Sequence, residues 1–520
     1  MGEVKQFHTT VSHKDRKENK GHNVVFVISV DSLCETRKRK TQRLSIHYFC
    51  AVKRKNKNIV LEKILVEDYA AEGKSLARLD GKVIFVENAV PGDVVDVRLL
   101  KSKKDWAEGF VIKIHEYASQ RVAPFCLHFG VCGGCQWQML PYEKQLQFKQ
   151  KQVEDNLQRI GKVALPGINP ILGAEETKCY RNKMEYTFSN RRFLLKDELH
   201  DDSVSPVQDV AGFHAKGIFD KVIDIKTCWL QHEPTNEIRI AVKDFAIQHQ
   251  LSFYDIKKQQ GFLRTMQLRI CTTGEIMVNI MFGHEDEEKR TALLNHIAEK
   301  FPAITTLLYT INTKGNDSLY GLIPQIHHGK GFAIERLGAF EFKIGPKSFF
   351  QTNTKQAERL YDVARDFAEL TGNETVYDLY CGTGSIGIFV SGHAKKIIGV
   401  EAVDEAIQDA RENAALNHIE HASFFTGDVI EICNDDFFAL HGKPDVIVTD
   451  PPRAGMHEKL VKKLLQIEAP LVVYVSCNPA TQARDLNLLD EKYAVTKIQP
   501  VDMFPHTHHI ENVVQLKLKN

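Results

Sequence analysis

Val376-Tyr377-Asp378-Leu379-Tyr380-Cys381-Gly382-Thr383-Gly384-Ser385 reads as a buried strand that runs into a glycine turn and then a helix. A turn that lets a ligand approach the backbone needs residues without a Cβ, which Gly382 and Gly384 supply. Glu401 ends the next apolar run, Lys396–Val400, at the distance where a carboxylate can accept hydrogen bonds from ribose hydroxyls. The turn lacks the G-x-G-x-x-G spacing of nicotinamide dinucleotide sites. Working outward, Thr375–Leu379, Lys396–Val400, Ala422–Phe425, Asp445–Thr449 and Leu471–Ser476 are short apolar strands, with helical stretches such as Asp404–Leu416 and His457–Gln466 between them. This alternation predicts a doubly wound parallel sheet. Ligands of such sheets bind beyond the carboxyl ends of the strands, where Asp378, Glu401, Asp450 and Cys477 all fall.

Two further motifs bear on the chemistry: Asp450-Pro451-Pro452-Arg453-Ala454-Gly455 and Tyr474-Val475-Ser476-Cys477-Asn478-Pro479-Ala480-Thr481. Together with Phe504-Pro505-His506 and Glu511, they resemble the uracil-carbon-5 RNA methyltransferases. The D-x-Y-C-G-T-G turn resembles class I methyltransferases that use S-adenosylmethionine. The resemblance implies Asp378 near the methionine part of the cofactor, Tyr380 beside it and Glu401 on its ribose. It adds Gln351, in Phe349-Phe350-Gln351-Thr352-Asn353, and Asp450 as cofactor contacts, and leaves Arg453 to a phosphate or the uracil.

The same resemblance makes Cys477 the nucleophile and Glu511 the general base, although the segment Pro505–Glu511 is longer than the family's P-x-H-x-E element. Carbon 5 of uracil has no lone pair. A thiolate that adds to carbon 6 makes carbon 5 enolate-like, and a base must then remove the carbon-5 proton so that the thiolate can leave. A polar loop at the sheet rim is expected to lower the Cys477 pKa. The target base must be flipped into the pocket, with Phe349 or Phe350 as the stacking ring. The His506, His508 and His509 run is read as structural, and Cys381 as packing.

Cys126-x5-Cys132-x2-Cys135, with Cys228 far downstream, gives four thiolates. Their spacing fits a structural zinc or an iron–sulfur cluster. The stretch Cys126-Leu127-His128-Phe129-Gly130-Val131-Cys132-Gly133-Gly134-Cys135 resembles the ribosomal members of the family, which implies a [4Fe–4S] cluster with a structural or RNA-positioning role. The spacing does not match the C-x3-C-x2-C of radical chemistry.

At 520 residues the chain exceeds a single core. The reading divides it into a basic extension at 1–58, an OB-like barrel resembling the TRAM domain at 59–118, an α+β central domain with the cysteine cluster at 119–344, and a Rossmann-like class I methyltransferase domain at 345–520. Residues 1–60 hold 14 Lys and Arg against 5 Asp and Glu, although the whole chain carries only +1. A head of that sign suits RNA phosphates. With 43% hydrophobic residues and no apolar run of membrane length, the expectation is a cytoplasmic protein with no membrane partner. The resemblance implies an enzyme acting on ribosomal RNA, and a monomer is expected. The alternatives are a transfer-RNA uracil methyltransferase and a non-catalytic RNA-binding or ribosome assembly factor.

Overall fold

A computed structural model describes residues 59–520 apart from 196, 197, 200 and 202; the basic head at 1–58 lies outside the described residues. The alternating runs after residue 59 form β1 (Val60–Leu65), β2 (Asp68–Tyr69), β3 (Ser75–Leu79), β4 (Lys82–Glu87), β5 (Val94–Ser102) and β6 (Trp106–Glu116). They make one sheet of order β1-β5-β6-β4-β3-β2. Every second side chain points inward, so Ala77, Ile84, Val86, Val95, Val97 and Ala107 build a private core. β2 and β3 escape the sequence reading because β2 spans two residues and β3 begins on Ser75.

The cysteine loop follows and leads into α1 (Tyr142–Asn156). The second sheet contains β7 (Lys183–Arg191), β8 (Val207–His214), β9 (Val222–Asp224), β10 (Leu263–Ile270), β11 (Ile276–Phe282), β12 (Thr306–Ile311) and β13 (Gln325–Gly329), in the order β13-β12-β11-β10-β7-β8-β9. Helices α2 (Thr235–Gln248) and α3 (Glu287–Lys300) close one face of it through Ile238, Val242, Leu293 and Ile297.

After the hairpin of β14 (Ala333–Leu337) and β15 (Phe340–Ile344) come α4 (Thr354–Ala368), β16 (Thr375–Leu379), α5 (Ser385–Val390), β17 (Lys396–Glu401), α6 (Asp404–Leu416) and β18 (Ala422–Thr426). The chain continues through α7 (Val429–Ile432), α8 (Asp435–His441), β19 (Val446–Thr449), α9 (Glu458–Ile467), β20 (Leu471–Ser476), α10 (Pro479–Leu489), β21 (Tyr493–Val501) and β22 (Glu511–Leu518). The sheet order is β18-β17-β16-β19-β20-β22-β21. The first five strands run parallel, as their apolar character predicts, and β22 pairs antiparallel with both β20 and β21.

Alternate residues of β16 separate the two faces. Val376 joins a core with Leu360, Ile386 and Ile407 from α4, α5 and α6. Tyr377 and Leu379 join a second core with Leu460, Leu464 and Leu486 from α9 and α10. Two packing facts cut across the expected boundary at residue 345. Leu337, Phe342 and Ile344 of the β14–β15 hairpin are buried in the first core, and Val153 of α1 is buried in the second. Hydrophobic burial places α1 against the last sheet although its sequence position lies beside the cysteines.

Candidate active site and cysteine cavity

The glycine turn forms where β16 ends. Tyr380 takes φ +63°, Gly382 +53° and Gly384 +75°. A Cβ on Gly384 would fall 2.9 Å from Phe424, so any side chain there meets a packed ring as well as backbone strain. The Tyr380 conformation is uncommon for a non-glycine residue and is held by its N–H donating to the Val400 carbonyl at 3.0 Å. Glu401, at the end of β17, accepts from Gly382 N at 3.3 Å and Val403 N at 3.1 Å, which fixes its carboxylate beside the turn.

Asp378 is buried, and its Oδ2 accepts from Gly387 N at 2.8 Å inside α5. Its Oδ1 has no protein partner. Burial pushes the Asp378 carboxyl up to about 7, and Asp450 and Glu401 push it the same way. Burial likewise raises Asp450 to about 7. This rim therefore gathers acids that disfavour one another's charge, an arrangement that suits a cationic ligand.

Because the folded-state pKa of Asp378 is raised, the folded chain binds its proton more tightly than the unfolded chain does. The resulting stability is present at acid pH and is lost as pH rises from about 4 to about 7. Asp378→Asn should therefore be more stable than the parent at pH 8, by at most about 4 kcal/mol. Urea unfolding at pH 5 and pH 8 checks this: the advantage should grow with pH, and an equal difference at both would exclude the assignment.

Cys477 directly follows β20. The β20–β22 register pairs Ser476 with Asn512, so the next position outward sets Cys477 opposite Glu511. Asn478 caps α10 by accepting from Ala480 N at 3.1 Å, and its Nδ2 donates to the Arg453 carbonyl at 3.0 Å. The loops after β19 and β20 are thus tied together, and Arg453 is exposed beside them. The expectation of a lowered thiol pKa is corrected here. Burial, followed by the Glu511 and Asp450 carboxylates, pushes Cys477 up to about 11, and only Arg453 and a backbone N–H oppose this. Glu511 is buried, and burial with Asp450 lifts its carboxyl well above the usual range.

Gln351 lies between β15 and α4, and its carbonyl accepts from Asn182 Nδ2 at 2.9 Å. Of the two candidate stacking rings, Phe350 is 3% exposed and packs on Phe342, whereas Phe349 is 68% exposed. Only Phe349 can meet a ligand. Sequence reasoning missed Tyr361 of α4. Its buried hydroxyl pairs with Ser385 Oγ at 2.9 Å at the start of α5, and it lies in the field of Asp378, Asp450 and Glu511. A tyrosine on an amphipathic helix carries no sequence signal that separates this role from packing.

Cys126, Cys132, Cys135 and Cys228 all line one cavity of about 660 Å³, whose wall also includes Phe349 and Thr352. Burial raises Cys135 and Cys228 to about 12, and each of these two thiols is pushed further by other cysteines of the set. Gly134 N donates to Cys132 Sγ at 3.5 Å. Among the described residues no three His, Cys, Asp or Glu side chains converge as a single-ion site. The four thiols share one cavity.

Residues 335–519 match the tRNA (uracil-5-)-methyltransferase family, and residues 62–112 match the TRAM domain. The chain is 53% identical to an uncharacterized RNA methyltransferase of Bacteroides thetaiotaomicron, over 86% of this chain and 100% of the relative. It is 40% identical to one of Chlorobaculum tepidum, over 87% of this chain and 95% of that relative. The crystal structure of Pyrococcus abyssi tRNA (uracil-54, C5)-methyltransferase in complex with S-adenosyl-L-homocysteine is similar at 29% identity and a TM-score of 0.67. That likeness covers 87% of this chain and 100% of that one.

Proposed function

The chain belongs to the RNA (uracil-5) methyltransferase family, and from that premise we propose that it transfers a methyl group from S-adenosylmethionine to carbon 5 of a uridine in ribosomal RNA. The observation that carries this reading is the placement of Cys477 just beyond the last β20–β22 pair, Ser476 with Asn512, at the carboxyl rim of the sheet and within the field of Glu511, the first residue of β22. The Cys477 thiolate adds to carbon 6 of the uracil. Carbon 5 then takes the methyl group, and S-adenosylhomocysteine leaves. Glu511 accepts the carbon-5 proton, and the ring expels the thiolate, so the cysteine is regenerated. When bound, the cofactor supplies an electrophilic methyl on a sulfonium. The unpartnered Asp378 Oδ1, the acids Asp450 and Glu401, and the turn at Tyr380 fit such a cationic nucleoside, with Gln351 as a further contact.

Transfer RNA is the second reading, favoured by the likeness to the Pyrococcus abyssi enzyme over its whole length. RNA in which 5-fluorouracil replaces uracil separates the two. Fluorine cannot leave carbon 5 as a cation, so the covalent adduct persists when S-adenosylmethionine is present. Adduct with ribosomal RNA and none with transfer RNA supports the first reading, and the converse supports the second. Adduct with neither, in folded protein that binds the cofactor, points to a non-catalytic RNA-binding factor.

The cavity lined by Cys126, Cys132, Cys135 and Cys228 is proposed to hold a [4Fe–4S] cluster. The reading rests on the resemblance of Cys126–Cys135 to the ribosomal members of the family and on four thiols that line one cavity. Their raised pKa values mean that loading must displace protons, so cluster uptake should weaken in acid. Anaerobically purified protein should contain iron and acid-labile sulfide in equal amounts, and Cys126→Ser should lose both. Zinc without sulfide would overturn the assignment.

A further inference from the structure

β21 ends at Val501 and β22 begins at Glu511, two residues that pair with each other. The loop between them, 502–510, is therefore closed at its base but too long for a tight hairpin turn to set its shape. Its shape is set from outside. Lys149 of α1 donates to Asp502 Oδ1 at 2.6 Å and to the Phe504 carbonyl at 3.1 Å. Both side chains of the Lys149–Asp502 pair are fully buried. Tyr142 of the same helix donates its hydroxyl to Asp502 Oδ2 at 2.8 Å. Gln145, one turn on, accepts from His506 N at 2.8 Å. Gln136 N and Trp137 N, just beyond Cys135, both donate to the His506 carbonyl, at 2.8 and 3.0 Å. From the methyltransferase side, Gln356 Nε2 reaches the Asp502 carbonyl at 2.8 Å and Asn353 Nδ2 the Met503 carbonyl at 2.9 Å.

A buried ion pair adds little net stability over an apolar pair of the same size. What it imposes is direction. An ammonium group is a donor only, and it fixes acceptors at defined positions around itself. Here those acceptors belong to the loop that delivers Glu511.

We propose that Lys149 is a positioning residue: its buried pairing with Asp502 fixes the 502–510 loop and thereby holds the Glu511 carboxylate where it can take the carbon-5 proton. The inference rests on the reading of Glu511 as the general base. It also gives α1 a reason to pack on the last sheet, since the helix bridges the cysteine loop and the loop that carries the base.

The test uses the full chain carrying Lys149→Met together with Asp502→Asn, so that no lone charge is left buried. Trapping by 5-fluorouracil RNA, which needs only Cys477 and the cofactor, should proceed at the parent rate. Release of methylated product from ordinary RNA should slow by about 10²-fold, the scale of a small misplacement of a catalytic group. The methylated covalent adduct should then accumulate, as it should in Glu511→Gln. Parental turnover in the double variant, beside an accumulating Glu511→Gln, overturns the inference alone. Equal loss of trapping and release marks a general structural role and also overturns it. Absence of adduct in Glu511→Gln overturns the base reading, and the inference with it. Tyr142→Phe removes a single hydroxyl from Asp502 and should show the same split at roughly 5-fold; this variant keeps the inference open to refutation if the double variant fails to fold.

Discussion

Cys477→Ala should lose the covalent adduct with 5-fluorouracil RNA entirely and reduce methylation of ordinary RNA by at least roughly 10⁴-fold, the scale seen when a nucleophile is removed. The expectation follows from the substrate. Without addition at carbon 6, carbon 5 never becomes enolate-like and has no electron pair to offer the methyl group. Affinity for S-adenosylmethionine should hardly change, because the acids around the glycine turn are untouched. The thiol is half-buried and lies in the field of Glu511 and Asp450, so it is held protonated, with its pKa pushed up to about 11. Adduct formation in the parent should therefore accelerate as pH rises above neutrality. A gel-shift time course of adduct formation at several pH values, with and without the substitution, measures both effects. Residual adduct in Cys477→Ala would show that another side chain attacks carbon 6.

The parallel part of the last sheet was legible because its strands are continuous apolar runs, as buried parallel strands must be. Thr375–Leu379 and Leu471–Ser476 coincide with the observed strands residue for residue. The rim argument for Asp378, Glu401, Asp450 and Cys477 needed only those strand ends. The antiparallel strands β21 and β22 are mixed in character, with Thr496, Lys497 and Gln499 among the apolar residues, and they went unread. The register of β22 on β20 is what brings Glu511 to the level of Cys477, so the proposed partnership of nucleophile and base had to come from resemblance rather than from pattern.

The contacts of α1 were illegible for a different reason. Lys149 meets Asp502 across more than three hundred residues of chain, and a lysine in a polar helix reads as solvated. Its complete burial is a tertiary fact. The direction of the Cys477 pKa shift was misread on similar grounds. The polar loop was visible in the sequence, but the Glu511 and Asp450 carboxylates whose field the thiol feels were not. For the cysteine loop the resemblance singled out four cysteines, and the fold supplied the cavity that gathers Cys228 with the other three.

Glu511→Gln should separate bond making from release. Glutamine keeps the volume of the side chain and cannot accept the carbon-5 proton. Attack by Cys477 and methyl transfer should therefore proceed, and the enzyme should stop at a covalent adduct already methylated at carbon 5. Turnover should fall by about 10²- to 10⁴-fold, the usual contribution of a general base. Attack should not suffer. The Glu511 carboxylate is one of the groups that raise the Cys477 pKa, so its removal should ease thiolate formation and speed trapping. The parent's release step should also depend on pH. Burial and Asp450 hold the Glu511 carboxyl well above the ordinary range, and Asp450 itself is raised to about 7. Glu511 therefore keeps its proton to higher pH than an ordinary glutamate, so release in the parent should rise with pH and lose that dependence in Glu511→Gln. Mass spectrometry of the adduct on ordinary RNA, with the added methyl present, is the decisive reading. An unmethylated adduct would move Glu511 to an earlier step, and free methylated RNA at the parental rate would assign the proton to another base, of which Asp450 is the nearest in charge and burial.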